Sequence, residues 1–284
     1  LADATVVADL LQRAAEANLN QSQRTGSVIN LPDKGSLLIT GDLHDHGPNF
    51  LKAVRLAGLQ RADDHHLILH ELLHGPHRVN GRDMSVRLLA RAAALKLDYP
   101  GQVHFLQSNH ELAQLLGEGI LKEGASVVEA FEEGIEYLFA DEAETVTDAM
   151  NAFIRSLPLA VRCANGVMVT HSLPGKAAMN WFDPTILDRV PTDADLDDPG
   201  SAYRMVWGRR HTDELVEQLA ETWGVELFVM GHQPAEMGYE TTTRRSLVIA
   251  SDHNHGMVLP IDLAERYDLN DLVMSLVPLA SLPG

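Results

Sequence analysis

The sequence predicts an α/β fold with mixed sheets and a helical insertion. Short apolar runs of strand length alternate with stretches of helical periodicity, and an Asn165-Gly166 pair separates two of the apolar runs. Alternating strands and helices favour parallel strands joined by crossovers. Asn-Gly suits a two-residue hairpin turn, so residues 159–163 and 167–170 are expected to pair antiparallel and to make their sheet mixed.

Composition limits the classes of partner. The chain has 284 residues, 45% of them hydrophobic, which is ample for the core of one large α/β domain or two small ones. Forty acidic and 22 basic residues give a formal net charge of -18, which repels nucleic acid and anionic membrane surfaces. An anionic substrate must therefore be attracted by local positive charge, for which bound metal ions are an obvious source.

The expected location is cytoplasmic, without membrane association. The single cysteine, Cys163, excludes an intrachain disulfide and fits a reducing compartment. No apolar run approaches the ~20 residues that span a bilayer. The N-terminus also lacks a basic region followed by an apolar one, the pattern of a secretory signal.

The first part of the chain reads as a helix followed by βα units. Residues 5–18 carry apolar side chains at helical spacing and are followed by a polar linker. The first strand begins at Ser36, and Pro48 opens the next helix, because proline is well suited to a first helical turn. The second strand ends at Glu71, and a polar loop separates it from a helix at about residues 83–96.

The remaining elements are less regular. A third strand is predicted to end at Asn109, and residues 111–156 have mostly helical periodicity, which indicates a helical insertion. Residues 174–201 are expected to be loop with one short helix, and residues 267–284 have no clear pattern. The later elements expected are a helix at 212–223, a strand before His232, and strands at 246–250 and 256–261.

These elements suggest three segments. Residues 1–35 would form the N-terminal helix and linker, residues 36–262 the main domain with its insertion at about 111–156, and residues 263–284 a C-terminal tail. Polar side chains follow five of the predicted strands in the main domain. They are Asp42 and His44, then Glu71, then Asn109, His110 and Glu111, then His171, and finally His232.

Ligands at the carboxyl ends of parallel strands meet in one crevice, which favours a metal site. The predicted metal ligands are Asp42, His44, Glu71, Asn109, His171 and His232. This mixed oxygen and nitrogen set suits manganese, iron or zinc better than calcium or a structural zinc site. Glu71 could bridge two ions, and ions ~3.5–4 Å apart can clamp phosphate oxygens. His110, next to Asn109, is then the natural proton donor.

Each of these residues also has an ordinary interpretation. Asp42 and Asn109 could form turns or helix caps, which are common roles for these residues after a strand. Glu71 could be a solvated loop acid, and a single histidine at a strand end could be an ordinary polar residue. The placement of the whole set at strand ends favours the metal site.

The motifs resemble those of the calcineurin-like metallophosphoesterases, and within them the phosphoprotein phosphatase branch. That branch carries G-D-x-H-G, G-D-x-x-D-R-G, G-N-H-E and two later histidines. The matching stretches here are Gly41-Asp42-Leu43-His44-Asp45, His70-Glu71-Leu72-Leu73-His74-Gly75, Ser108-Asn109-His110-Glu111, Leu157-Pro158-Leu159-Ala160, His171-Ser172-Leu173-Pro174 and Gly231-His232-Gln233-Pro234.

The resemblance covers about residues 36–262. It implies a four-layered αββα metallophosphoesterase fold and a centre of two divalent or trivalent metal ions (Mn, Fe or Zn) bridged by Glu71. It also implies hydrolysis of phosphomonoesters by a metal-bound water, with His110 as the proton donor and Glu111 as a supporting residue.

The second motif departs from the family pattern. Glu71 replaces an aspartate, His74 replaces the aspartate that supports the catalytic histidine, and Gly75 replaces an arginine that grips phosphate. Other arginines must then supply positive charge, and the candidates are Arg78, Arg82, Arg209 and Arg210. We favour Arg209, because it follows Trp207 where the family often has a tryptophan motif and a phosphate-binding arginine, and an arginine fork fits phosphate.

Three functions are consistent with the sequence. The first is a phosphatase acting on a phosphoprotein or a small phosphoester, similar to serine/threonine protein phosphatases. The second is a dinucleoside polyphosphate (diadenosine tetraphosphate) hydrolase, which predicts that Trp181 or Trp207 stacks on a nucleotide base. The third is a non-catalytic metal-bound scaffold, for which the altered second motif is the best support.

Overall fold

The structure of the protein is a computed structural model, which describes residues 3–118, 120–122 and 125–283. Among these residues the α-helices are α1 Ala4–Leu19, α2 Gly47–Ala57, α3 Val86–Asp98, α4 Asn109–Leu116, α5 Val127–Phe139, α6 Ala143–Arg155, α7 Asp193–Leu196, α8 Ser201–Trp207, α9 Asp213–Trp223 and α10 Leu269–Ser275. Short 3-10 helices are Ala140–Glu142, Lys176–Ala178, Pro184–Asp188 and Leu279–Ser281.

The strands belong to two main sheets and two short hairpins. In chain order, the described strands are β1 Arg24–Thr25, β2 Val28–Leu31, β3 Ser36–Asp42, β4 His65–His70, β5 Arg78–Val79, β6 Arg82–Asp83, β7 Val103–Phe105, β8 Leu121–Lys122, β9 Ala125–Ser126, β10 Ala160–Cys163, β11 Val167–Thr170, β12 Leu227–Met230, β13 Tyr239–Thr243, β14 Ser246–Ile249, β15 Met257–Asp262 and β16 Val277–Pro278.

Both main sheets are mixed. The larger has the order β1-β2-β10-β11-β12-β14-β13, and the smaller has the order β16-β15-β3-β4-β7. In the smaller sheet β3, β4 and β7 are parallel, whereas β15 runs antiparallel to β3. In the larger sheet β11, β12 and β14 are parallel, and β10 pairs antiparallel with β11. The mixed α/β fold predicted from sequence is therefore confirmed.

Apolar side chains divide the molecule into four layers. Along β4, Leu67 and Leu69 belong to a cluster with the helices that cover the smaller sheet, whereas Ile68 belongs to the cluster between the two sheets. This alternation follows from the two-residue period of a strand. On the larger sheet, Phe228 packs outward with Leu219 of α9. The order of layers is helices, sheet, sheet, helices.

Most elements predicted from periodicity are confirmed. Helix α1 covers the predicted residues 5–18, helix α2 begins one residue before Pro48, and helix α9 matches 212–223 closely. The hairpin around Asn165-Gly166 pairs in the predicted antiparallel sense, since Ala160 faces Thr170. Among the described residues, none of the helices is both long enough and apolar enough to cross a bilayer.

Some elements differ from the prediction. Asn109 does not end a strand: β7 stops at Phe105, and Asn109 is the first residue of α4, with Ser108 as the N-cap. The stretch 174–201 contains three short helices rather than one. Strands β2 and β13 and the helix α10 were not predicted. Of the insertion at 111–156, residues 119, 123 and 124 lie outside the described residues.

Candidate metal centre

The two sheets meet at the predicted site. Asp42, the last residue of β3, forms a bridge with Ala250, which follows β14 of the other sheet. Glu71 follows β4, and His171 and His232 follow β11 and β12. The carboxyl ends of parallel strands from both sheets therefore deliver ligands to one place, as expected for this arrangement.

The backbone at these strand ends is unusual. His44, Glu71, His74 and His232 all have positive φ angles, between 35° and 66°. Non-glycine residues rarely adopt this conformation, and each instance costs of order 1–3 kcal/mol. Such residues concentrate at functional sites, where the surrounding fold fixes the direction of a side chain. The loops after the strands thus aim their side chains at the cost of local strain.

Asn109 lies at the centre of the histidine ligands. Its Oδ1 atom is 2.8 Å from His171 Nε2 and also 2.8 Å from His232 Nδ1. His171 Nδ1 is 3.6 Å from Asp42 Oδ1, and the backbone N–H of His232 donates to Asp42 Oδ2 at 2.7 Å. Four of the six predicted ligands are thereby connected by direct contacts.

Glu71 connects the remaining ligand to this group. Its side chain is buried rather than solvated, with 3% of the residue exposed. Glu71 Oε2 is 3.2 Å from His44 Nε2, and Oε1 is 3.7 Å from His171 Nε2. Oε1 also accepts a hydrogen bond from the backbone N–H of His110 at 3.0 Å. The carboxylate lies between two histidines, as a bridging ligand would.

Several buried ligand atoms have no hydrogen-bond partner among the described residues. They are Asp42 Oδ1, His171 Nδ1 and His232 Nε2. Buried polar atoms are nearly always paired, so a group of unpaired ones needs an explanation. Carboxylate oxygens and imidazole nitrogens are also the donors that zinc, iron and manganese accept. The residues of this site therefore fit a metal centre.

The electrostatics of the site also favour a cation. Burial, and then the nearby Glu71 carboxylate, raise the pKa of Asp42 well above its usual range. Burial is also the main cause that lowers the pKa of His171, and it lowers the pKa of His232 to about 3, with the charge of Arg209 as the next cause. The histidines are thus held neutral, the form that binds metals, and a cation would relieve the repulsion between the two carboxylates.

The predicted proton donor contacts an imidazole in place of a carboxylate. His110 Nδ1 lies 2.9 Å from His74 Nδ1, and His74 Nε2 lies 2.9 Å from Gln114 Oε1. If the Gln114 carbonyl accepts from His74 Nε2–H, then His74 Nδ1 accepts from His110 Nδ1–H. His74 therefore orients His110 but brings no negative charge to it, and this is the chemical consequence of the altered second motif.

Glu111 supports the loop after β4. Its Oε1 atom accepts from the backbone N–H groups of Leu72 and Leu73, at 2.7 and 3.3 Å, and its Oε2 accepts from Ser108 Oγ. The first two contacts lie in the turn between Glu71 and His74. Glu111 thus fixes the loop that carries both residues.

The space for an arginine at position 75 is filled. A Cβ atom on Gly75 would lie 2.5 Å from Asp45 Cβ, so a side chain there requires a shift. Of the candidate arginines, Arg209 lines the cavity at the metal site, whereas Arg82 lies over the ring of Tyr137, 4.9 Å from its centroid. Arg209 is the candidate that the structure brings to the site.

The site opens into a cavity of about 330 Å³. Five of the six predicted metal ligands line it, together with His110 and Arg209; the sixth, His171, is fully buried behind them. Neither Trp181 nor Trp207 belongs to the described lining.

Sequence reasoning missed two contributors. His70 is completely buried beside Asp42 and His171, and Gln114 anchors the His74 imidazole. His70 could have been noticed because it is the last residue of an apolar strand, immediately before Glu71. Gln114 gave no signal, because it is an ordinary helix residue one turn after His110.

Comparison with known proteins finds phosphatases that are similar to this chain. No protein-family model matches the chain. A probable serine/threonine-protein phosphatase of Encephalitozoon cuniculi is 22% identical over 278 residues, which cover 93% of this chain and 54% of the relative. The chain thus spans about half the length of the curated relative that it matches.

Solved structures agree on the fold. A Saccharomyces cerevisiae serine/threonine phosphatase with similarity to human phosphatase PP5 superposes with a TM-score of 0.67 at 14% identity, covering 98% of this chain and 93% of that one. A cold-active protein tyrosine phosphatase gives a TM-score of 0.58 at 15% identity, covering 90% and 84%; a further structure of such an enzyme, from a psychrophilic Shewanella, gives 0.55. The chain therefore has the same fold as these solved phosphatases.

Proposed function

We propose that the protein is a metal-dependent phosphatase that hydrolyses phosphomonoesters, with phosphorylated serine or threonine side chains of proteins as substrates. The observation that carries the proposal is the convergence of Asp42, Glu71 and Asn109 with three histidines around one cavity that also contains His110. The names of the Encephalitozoon cuniculi relative and of the Saccharomyces cerevisiae structure support serine or threonine substrates, whereas the cold-active enzymes are named protein tyrosine phosphatases.

The six predicted ligands would hold two metal ions, of manganese, iron or zinc. When bound, such ions supply the positive charge that a phosphate and its transition state need, and they lower the pKa of water. The buried Asp42 and Glu71 carboxylates provide the negative charge that retains cations in the site. Arg209, at the rim of the same cavity, would bind the phosphate oxygens of the substrate.

His110 would protonate the leaving oxygen of the substrate. With its Nδ1 directed at His74, the proton would be delivered from Nε2. Positioned general acids contribute about 10²–10⁴-fold in rate. His74 and Gln114 hold the ring in place, and Glu111 holds the loop that carries His74.

The two alternative functions have less support. A dinucleoside polyphosphate hydrolase needs an aromatic platform for the base. Trp207 packs edge-on against His232, with 6.3 Å between the ring centroids, but neither Trp207 nor Trp181 belongs to the described cavity lining. A non-catalytic scaffold would have no use for a histidine held beside the metal ligands by a dedicated partner, as His110 is held by His74.

The test is a substrate panel on metal-loaded protein. Purified chain is loaded with Mn²⁺, Fe²⁺ or Zn²⁺ and given an aryl phosphate, phosphoserine, phosphothreonine and phosphotyrosine peptides, and diadenosine tetraphosphate. We expect hydrolysis of the aryl phosphate and of the serine and threonine peptides, abolished by a chelator. Preference for diadenosine tetraphosphate, or no turnover with any metal, would contradict the proposal.

A further inference from the structure

His70, the last residue of β4, lies beside the metal centre but matches no ligand of the family pattern. Its backbone pairs in register with Asp42 on the neighbouring parallel strand β3. It is completely buried, with 0% of the residue exposed. The motif that this stretch resembles has a glycine at this position, whereas this chain has an imidazole.

Neither ring nitrogen of His70 has a hydrogen-bond partner among the described residues. A neutral imidazole carries one donor and one acceptor, and burying both without partners costs free energy. Within the described part of the chain, the ring packs edge-on against His171, with 6.1 Å between the centroids, but no hydrogen bond compensates for its burial. A cost of this kind is explained if the ring binds something that completes the site.

The ring faces other unpartnered ligand atoms. Three possible metal-ligand atoms lie within 4.8 Å of one another, one each from Asp42, His70 and His171. Asp42 Oδ1 and His171 Nδ1 also lack hydrogen-bond partners among the described residues. Gly231 closes the same space: a Cβ there would lie 2.1 Å from Asp42 Oδ1 and 3.0 Å from His70 Nδ1. Only glycine at position 231 leaves these atoms room to converge.

We infer that His70 is a seventh protein ligand, and that one metal ion is held by Asp42, His70 and His171. The inference rests on the proposed function for the presence of metal and adds a ligand to it. Two imidazoles and one carboxylate form a nitrogen-rich set, which suits zinc, iron or cobalt better than manganese. His70 would therefore bias the metal preference of the centre.

The experiment compares metal binding by wild-type protein, His70→Gln and His66→Gln. His66 lies on the same strand, is also buried, and contacts His104 rather than the metal centre. Chelator-treated proteins are titrated with Co²⁺ by visible absorption, and Zn²⁺ and Mn²⁺ affinities are measured by equilibrium dialysis. We expect His70→Gln to alter the Co²⁺ spectrum and to weaken Zn²⁺ binding by more than about tenfold, with a smaller effect on Mn²⁺.

His66→Gln should retain the wild-type spectrum and affinities. If His70→Gln does not fold, His70→Gly, which carries the glycine of the family motif, is used in its place. An unchanged Co²⁺ spectrum and Zn²⁺ affinity in a folded His70 variant would overturn the inference. If His70→Gln alters the Co²⁺ spectrum as predicted but the metal-loaded wild-type protein hydrolyses no phosphoester, only the proposed function is overturned.

Discussion

Two clusters of polar side chains that include histidines lie near opposite ends of β4. The metal centre, defined by the six predicted ligands with His70, lies at the carboxyl end of the strand. The second cluster, which we call the Lys96 network, consists of Gln21, His66, Lys96 and His104. Apart from half-buried His44, the residues of both clusters are buried, but the clusters differ in how their polar atoms are satisfied.

The Lys96 network is a continuous chain of hydrogen bonds. Lys96 Nζ donates to Gln21 Oε1 at 3.0 Å and to the carbonyl oxygens of Pro100 and Val103 at 2.8 Å. Gln21 Nε2 lies 2.9 Å from His104 Nδ1, and His104 Nε2 lies 3.1 Å from His66 Nδ1. Each group in the chain is paired with the next.

The metal centre has the opposite character. Asp42, His70, His171 and His232 each leave at least one buried atom without a partner among the described residues. Satisfied buried polar networks contribute to a unique fold, whereas unsatisfied ones mark places where something else binds. Hydrogen-bond pairing of the buried polar atoms, rather than histidine content or burial, therefore distinguishes the Lys96 network from the metal centre.

The largest expected difference is in catalysis. His110→Asn should lower kcat by about 10²–10⁴-fold while the protein keeps its metal, because the variant cannot donate the proton to the leaving oxygen. His66→Asn, the matched change in the Lys96 network, should leave kcat unchanged. Steady-state rates and metal content of both variants provide the measurement, and equal kcat values for His110→Asn and wild type would remove His110 from the mechanism.

A stability effect is expected in the other cluster. Lys96→Met removes the donor from Gln21 Oε1, from the buried Val103 carbonyl oxygen and from the part-buried Pro100 carbonyl oxygen, so the free energy of unfolding should fall by about 1–3 kcal/mol. The rate per folded molecule should stay the same. Lys52→Met is the control, because partly exposed Lys52 donates to a single acceptor among the described residues, the Leu279 carbonyl oxygen. Denaturant unfolding measures the free energy of unfolding of both variants. Equal decreases would show that the hydrogen bonds of Lys96 stabilise the fold no more than the single bond of Lys52.

The reverse effect is expected at the metal centre. In metal-free protein, His70→Leu removes two unpaired buried nitrogens, so the free energy of unfolding should rise by about 1 kcal/mol. His66→Leu should lower it, because His66 has partners to lose. Chemical denaturation in the presence of a chelator tests this pair of variants. Destabilisation of similar size in both would mean that His70 is a packing residue like any other.

A further expected difference is a dependence of the free energy of unfolding on pH. Burial, and then the charge of Arg24, lower the pKa of Lys96 from 10.5 to about 7. Between these values the unfolded chain holds a proton that the folded chain has released, so this group makes stability rise with pH across that window. Unfolding curves from pH 7 to about 9.5 should therefore show a smaller rise for Lys96→Met than for wild type. Parallel curves for the two proteins would contradict the assignment.

The regular elements of the fold could be predicted because local patterns specify them. Strand β3 is a continuous apolar run, and the Asn165-Gly166 pair encodes its hairpin directly. Strand β13 escaped prediction because it is a polar, largely exposed edge strand, paired on one side. The boundary at Asn109 was misplaced because Ser108 starts a helix only three residues after the short strand β7.

The candidate site was predictable as a set of residues, but its internal contacts were not. Strand ends identify Asp42, Glu71 and His171 because such positions converge in parallel sheets. The pairing of His110 with His74 brings together groups 36 positions apart in the chain, and no sequence period encodes it. Nor could the sequence reveal that His70 is unpaired while His66, four residues earlier, is paired.

Metal quantitation tests directly whether the predicted ligands bind two metal ions. Chelator-treated wild-type protein, His171→Asn and His66→Gln are reloaded with Zn²⁺ and dialysed. The zinc content of each is then measured by elemental mass spectrometry. We expect two zinc ions per chain in the wild type and in His66→Gln, and fewer in His171→Asn. Less than one ion per wild-type chain, or the same loss in both variants, would contradict it.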